Sequence, residues 1–132
     1  KIVKVKIITY SEDNPPGEIN FLTFDFEYSG DNVSKFSTTS GSALLPGSDI
    51  TSSISYTNYD TRNNPFNVLP QAFNIVALTT LYASFSANGM SANNFGKATI
   101  GSNSGIFTYV YNKDNFPISA KAGIETSIYE YQ

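Results

Sequence analysis

Histidine, cysteine and tryptophan are all missing from the 132 residues, and each absence excludes chemistry. Without histidine the commonest general base is gone, and with it the Ser-His-Asp arrangement and most zinc and iron sites. Without cysteine there can be no disulfide, thiolate metal site or cysteine nucleophile, although an extracytoplasmic address stays open. Charge is scarce as well: Asp, Glu, Lys and Arg supply 14% of the chain, against about 25% in ordinary soluble domains. Eight Lys+Arg against eleven Asp+Glu, a net charge of −3, leave no basic stripe to neutralise a phosphate backbone, so no nucleic-acid partner is expected. Long apolar runs are lacking too. None reaches the ~18 residues of a membrane span, and the start lacks the basic-then-apolar layout of a signal peptide. Opening directly on the strand-like KIVKVKIITY, the chain reads as a processed product whose localisation signal belonged to a segment outside it.

What is present is Ser, Thr and Asn in place of charge, the texture of a secreted or surface protein, and nine Tyr with ten Phe. Flat rings pack well on a pleated surface, which favours strands. At this length one domain, 1–132, is the default. Period-two alternation marks the strands. In KIVKVKIITY, Val3, Val5 and Ile7 alternate with Lys4 and Lys6, and SEDNPPG then stops the strand. EINFLTFDFEY puts Phe24, Phe26 and Tyr28 on one face and Thr23, Asp25 and Glu27 on the other. SGDN turns it into VSKFSTT as a hairpin. After the loop SGSALLPGSD, ITSSISYTNY is another strand. Residues 71–85, with Ile75, Leu78, Tyr82 and Phe85 at spacings of three and four, are predicted helical, with a strand as the alternative because of the β-branched Ile75, Val76, Thr79 and Thr80. KATIG, IFTYVY, FPISAKAG and IETSIYEYQ complete a predicted antiparallel meander of about seven or eight strands with one short helical excursion.

Two phrases repeat. FDFEYSGDNVSKFS and FTYVYNKDNFPISA share alternating aromatics, a polar Asp-Asn turn and a returning strand, which turn chemistry and ring packing explain by themselves. Together with YDTRNNPF at Tyr59 to Phe66 and the closing IYEYQ, this rhythm resembles the degenerate YD-type repeats of the RHS-like superfamily, in the form seen in small Bacteroidetes lipoproteins of uncharacterised function. The turn glycine expected in such a repeat is replaced by Asp31-Asn32 and Asp114-Asn115, and no lipid-carrying N-terminal cysteine occurs in this chain. The resemblance implies an antiparallel sheet and export to the outer membrane or cell surface, with the periplasm as the alternative. It implies no catalytic residues.

The chemistry on offer is thin. Asp25 and Glu27 project from one strand face about 6.5–7 Å apart, a spacing compatible with an inverting glycosidase; the plainer reading is a wet face opposite Phe24 and Phe26. SEDN, SGDN, YDTRNN and NKDN offer oxygen ligands of the kind calcium prefers, but turn chemistry accounts for them, and neither a metal nor a cofactor is expected. Asn32-Val33-Ser34 matches the N-glycosylation pattern, which matters only in a eukaryotic secreted host. The expected function is non-enzymatic: a protein-binding accessory domain of a membrane-associated complex, with other envelope or surface proteins as partners and membrane contact only through a lipid anchor outside this chain. The alternatives are a structural subunit of a fibre or appendage, a glycan-binding module resting on exposed tyrosines, and last a carboxylate glycoside hydrolase. Candidate binding residues are Tyr59, Asn63, Asn64, Pro65 and Phe66. Structurally, the amides should cap a turn, Pro65 fix φ and Phe66 plug the core.

Overall fold

A computed structural model describes residues 1–12, 17–70, 73–74 and 89–131. Its strands are β1 (Lys4–Ser11), β2 (Gly17–Ser29), β3 (Asn32–Ser42), β4 (Ile50–Tyr59), β5 (Phe95–Ile100), β6 (Asn103–Tyr111), β7 (Pro117–Ala122) and β8 (Glu125–Ile128), with a 3-10 turn at Pro65–Val68. The eight form one sheet in chain order, every neighbouring pair antiparallel. The fold is therefore the mainly β meander that the alternation predicts. The predicted helix over 71–85 lies outside the described residues apart from Phe73 and Asn74, whose N–H groups both donate to the Pro70 carbonyl. Among the described residues no helix is long and apolar enough to cross a membrane.

Tight turns explain the meander. Ser29 pairs with Asn32 and Ile100 with Asn103 across two-residue turns, and Gly30 and Gly101 take φ of 58° and 56° at the first central position, where a side chain would be strained. The second aromatic phrase turns differently. Tyr111 pairs with Pro117 around a longer loop in which the Asn112 carboxamide accepts from Asp114 N and Phe116 N at 3.0 Å each and Asn115 is left-handed at φ 65°. Both hairpins nonetheless shift register at the equivalent step, Glu27/Tyr28 and Val110/Tyr111.

The core lies on one face. Phe24, Phe26 and Phe36, directed there by alternation across β2 and β3, meet with ring centroids 6.0 Å (Phe24–Phe36) and 5.1 Å (Phe26–Phe36) apart, and Val33, Tyr56, Met90 and Phe95 complete the cluster. Strict alternation from Ala98 would turn Phe95 to the opposite face. Instead it packs 4.8 Å from Tyr56 and 4.9 Å from Phe107, at the place where Asn58 is left-handed (φ 58°). Gly96 stands opposite, and a Cβ there would sit 2.8 Å from the Asn58 carbonyl oxygen. The close backbone approach that only glycine allows lets the ring turn inward.

Over β3–β5 the other face is polar. Hydroxyls pair across strands, Thr39 with Thr51 at 3.0 Å and Thr99 with Ser104 at 3.0 Å, which is how Ser and Thr replace charge on this surface. Among the described residues the strands make one sheet, and a sheet spreads its surface. The accessible area is 8537 Å², whereas a close-packed monomer of this mass would expose roughly 6,800 Å².

Candidate functional site

YDTRNNPF, the phrase that supplied the candidate residues, leaves the end of β4 and ties three other segments together. The Tyr59 hydroxyl donates to the Val33 carbonyl at 2.6 Å and lies 3.2 Å from Ser91 Oγ, so burial raises its pKa. Asp60 accepts from Arg62 N at 3.0 Å and from Asn94 N at 3.2 Å through Oδ1, and from Asn94 Nδ2 at 3.3 Å and the Tyr111 hydroxyl through Oδ2. Arg62 donates to the Asn115 carboxamide oxygen and lies over the Tyr111 ring, 5.7 Å from its centroid. Asn63 clamps the same hairpin, its N–H on Asn115 O and its Nδ2 on Asp114 O, both at 3.1 Å. Burial, and the neighbouring Asp60 that accepts its proton, raise the Tyr111 pKa.

Asn64 is buried. Its Oδ1 accepts from Phe66 N at 3.0 Å, capping the 3-10 turn with Pro65 in its first positions, and its Nδ2 donates to Ser91 O at 2.8 Å. Asn64 thus caps the turn, whereas Asn63 instead binds the Asp114–Asn115 segment, and Phe66, expected to plug the core, is only half-buried, outside the core cluster, and meets Tyr129 edge-on at 6.2 Å. Tyr131 closes the circle, donating to Pro117 O at 2.6 Å with its ring 5.7 Å from Phe116. The three phrases YDTRNNPF, YVYNKDNFP and IYEYQ therefore converge in space. Of the candidates, Tyr59 and Asn64 point inward and hold loops, Asn63 fastens a turn, and Phe66 alone fronts open space.

Truncating Asn64 should be expensive. Asn64→Ala removes a cap worth about 1 kcal/mol and strands the Ser91 carbonyl in a buried place, about 1–3 kcal/mol more. A loss of about 2–4 kcal/mol by urea unfolding is expected, against under about 1 kcal/mol for Asn63→Ala on the exposed side. Equal losses would show that the Ser91 contact carries little.

Phe66 opens onto a trough of about 590 Å³ on the core face of β4–β8. Rings of Tyr56, Phe107, Tyr109 and Tyr129 form its walls with Phe66, and Ala98, Ala120 and Ala122 give it a shallow floor. Tyr109 donates to Phe95 O at 3.0 Å. The sequence pattern placed these rings on one face but gave no sign that the small residues of β5 and β7 would leave a hollow between them. Also unforeseen was the loop at 89–94, where Met90, Ser91 and Asn94 are buried as the backing on which Tyr59, Asp60 and Asn64 rest; its polar composition reads as an exposed loop.

The other expected sites fare differently. Asp25 and Glu27 do share a face, but each is ion-paired in the open, Lys4–Asp25 at 3.1 Å and Lys35–Glu27 at 3.1 Å. An acid/base pair needs one carboxyl held neutral by burial, so the glycosidase arrangement is not built here. Among the described residues no three acidic side chains gather as a metal site. The Asn32 side chain is engaged with Asn93, donating to Oδ1 at 3.1 Å and accepting from N at 2.9 Å.

Fold and site together define a class, a one-sheet antiparallel meander with an aromatic trough at its C-terminal half. No family model, curated protein or solved structure matches the chain.

Proposed function

We propose that this chain is a non-enzymatic, exported domain that binds another protein, as an accessory subunit of a complex at the outer membrane or cell surface, in the manner of the lipoproteins its Tyr-rich phrases resemble. The observation that carries the reading is an unpaired apolar margin. On the face opposite the trough, Ile106 and Val110 of β6 and Ile128 of β8 are 56%, 58% and 76% exposed. They share that face because Val110 pairs with Ser119 and Ser119 with Ile128. Beside them β8 is exposed throughout and, among the described residues, has a strand neighbour on one side only. A bare strand edge next to branched apolar side chains offers main-chain hydrogen bonds and side-chain contacts together, the chemistry by which sheets accept a partner strand.

The test is native mass spectrometry of the protein released gently from membranes of its own cells, beside the triple variant Ile106→Glu, Val110→Glu, Ile128→Glu. The wild type should carry a stoichiometric protein partner and the variant should emerge alone with an unchanged circular dichroism spectrum, since exposed substitutions leave stability within about ±0.5 kcal/mol each. A wild-type monomer, or a variant that keeps its partner, would overturn the assignment.

A further inference from the structure

We propose that the trough on the core face is a binding site for a neutral acyl-type molecule, a hydrocarbon body bearing one carbonyl or ester oxygen that accepts a hydrogen bond from the Tyr56 hydroxyl. This goes beyond the protein-binding margin, which lies on the opposite face.

Size and lining set the body of the ligand. The hollow, about 590 Å³, falls within the roughly 300–1,000 Å³ of small-molecule sites. Three alanines from two strands, β5 and β7, give a smooth floor, and rings give walls on which hydrocarbon packs. A sugar, with a hydroxyl on nearly every carbon, would find too few partners among such residues. Charge sets the rest. Among the described residues one cation, Lys121, and one anion, Glu125, line the trough, so neither sign of ligand is favoured and a neutral one fits.

The Tyr56 hydroxyl sets the polar group. The residue is 3% exposed, and its hydroxyl is a buried polar atom with no hydrogen-bond partner among the described residues, a condition rare in folded proteins because the lost hydration is not replaced. The neighbouring phenols are spent, Tyr59 on Val33 O and Tyr109 on Phe95 O. Burial, with Tyr59 close by, raises the Tyr56 pKa further above its ordinary value, so the phenol keeps its proton and lacks an acceptor. The residue forms part of the trough wall, so a ligand seated there meets the hydroxyl by displacing the side chains that cover it.

Prodan, a neutral naphthyl ketone whose emission moves to the blue in apolar surroundings and back to the red when its carbonyl accepts a hydrogen bond, is the probe, and methyl decanoate the competitor. The intact chain should bind prodan saturably and release it to methyl decanoate. Tyr56→Phe should bind about 3- to 10-fold more weakly, the share of one hydrogen bond, with emission shifted further to the blue and a melting temperature equal to or above wild type, because the orphaned group is gone. Ala120→Trp, which fills the floor, should abolish binding. Binding that does not saturate, a Tyr56→Phe variant with wild-type affinity and emission, a Tyr56→Phe variant that melts lower, or an Ala120→Trp variant that still binds would each overturn the proposal.

Discussion

Phe36→Ala is expected to lower stability by about 3–5 kcal/mol, the usual cost of removing a buried phenylalanine. The side chain is 1% exposed and in contact with both Phe24 and Phe26, so its loss strips a partner from two further rings and leaves a void that neither neighbouring strand can close without breaking its ladder. Among the described residues the buried rings lie on one face of the sheet, so few remain over which to spread the damage. Against a total of about 5–15 kcal/mol, the urea midpoint should fall by about 2 M for an m-value near 2 kcal/mol/M. Ile100→Ala, at an exposed position, should cost under about 1 kcal/mol. A Phe36→Ala loss below 1 kcal/mol would mean that the stability of the sheet resides elsewhere.

At alkaline pH the chain should unfold cooperatively, driven by its tyrosines. Burial raises the pKa of Tyr28, Tyr56, Tyr59, Tyr109, Tyr111, Tyr129 and Tyr131. In the unfolded chain they titrate near 10. A folded pKa raised above the unfolded one means that the native state holds its protons longer: the contribution is complete below about pH 10 and is lost as pH rises toward the folded values. For Tyr56, the most buried of them, the slope approaches ~1.4 kcal/mol per pH unit above 10, and Tyr59 and Tyr109 add smaller slopes because they are half-buried. The unfolding midpoint is then expected at about pH 11–13, seen as phenolate absorbance appearing together with loss of the sheet's circular dichroism. Tyr56→Phe should move the midpoint to higher pH. Nine tyrosines ionising near pH 10 in a chain that keeps its circular dichroism would sink this account.

Much of the architecture was written in local pattern. Phe24, Phe26 and Tyr28 alternate with Thr23, Asp25 and Glu27, and a strand with period two has one way to bury three rings. Gly30-Asp31 and Gly101-Ser102 carry their turns in their own dihedral preferences, so the hairpins needed no distant information. The capping role of Asn64 was legible for the same reason, since an amide before a proline can accept from the N–H two residues on, whereas its second bond, to the Ser91 carbonyl, was not.

Phe95 was not legible, because its inward turn depends on Asn58 and Gly96 meeting across two strands 38 residues apart in the sequence. Nor was the burial of Ser91 and Asn94: their polarity reads as loop, and only the arrival of Tyr59, Asp60 and Asn64 from another part of the chain gives those amides partners. The trough belongs to the same class. Ala98, Ala120 and Ala122 are unremarkable in sequence and become a floor when β5 and β7 align them on either side of β6.

What the sequence determined by itself was the set of strands, their order in an antiparallel meander, the aromatic face and the exclusion of histidine and cysteine chemistry, because each follows from residue type or from neighbours a few positions away. Which aromatic hydroxyls found partners, which loop was buried, where small residues left a hollow and where branched apolar side chains stayed exposed at an unpaired edge were decided by the tertiary structure alone. Those outcomes depend on register and packing between segments dozens of residues apart, and no local preference carries that information.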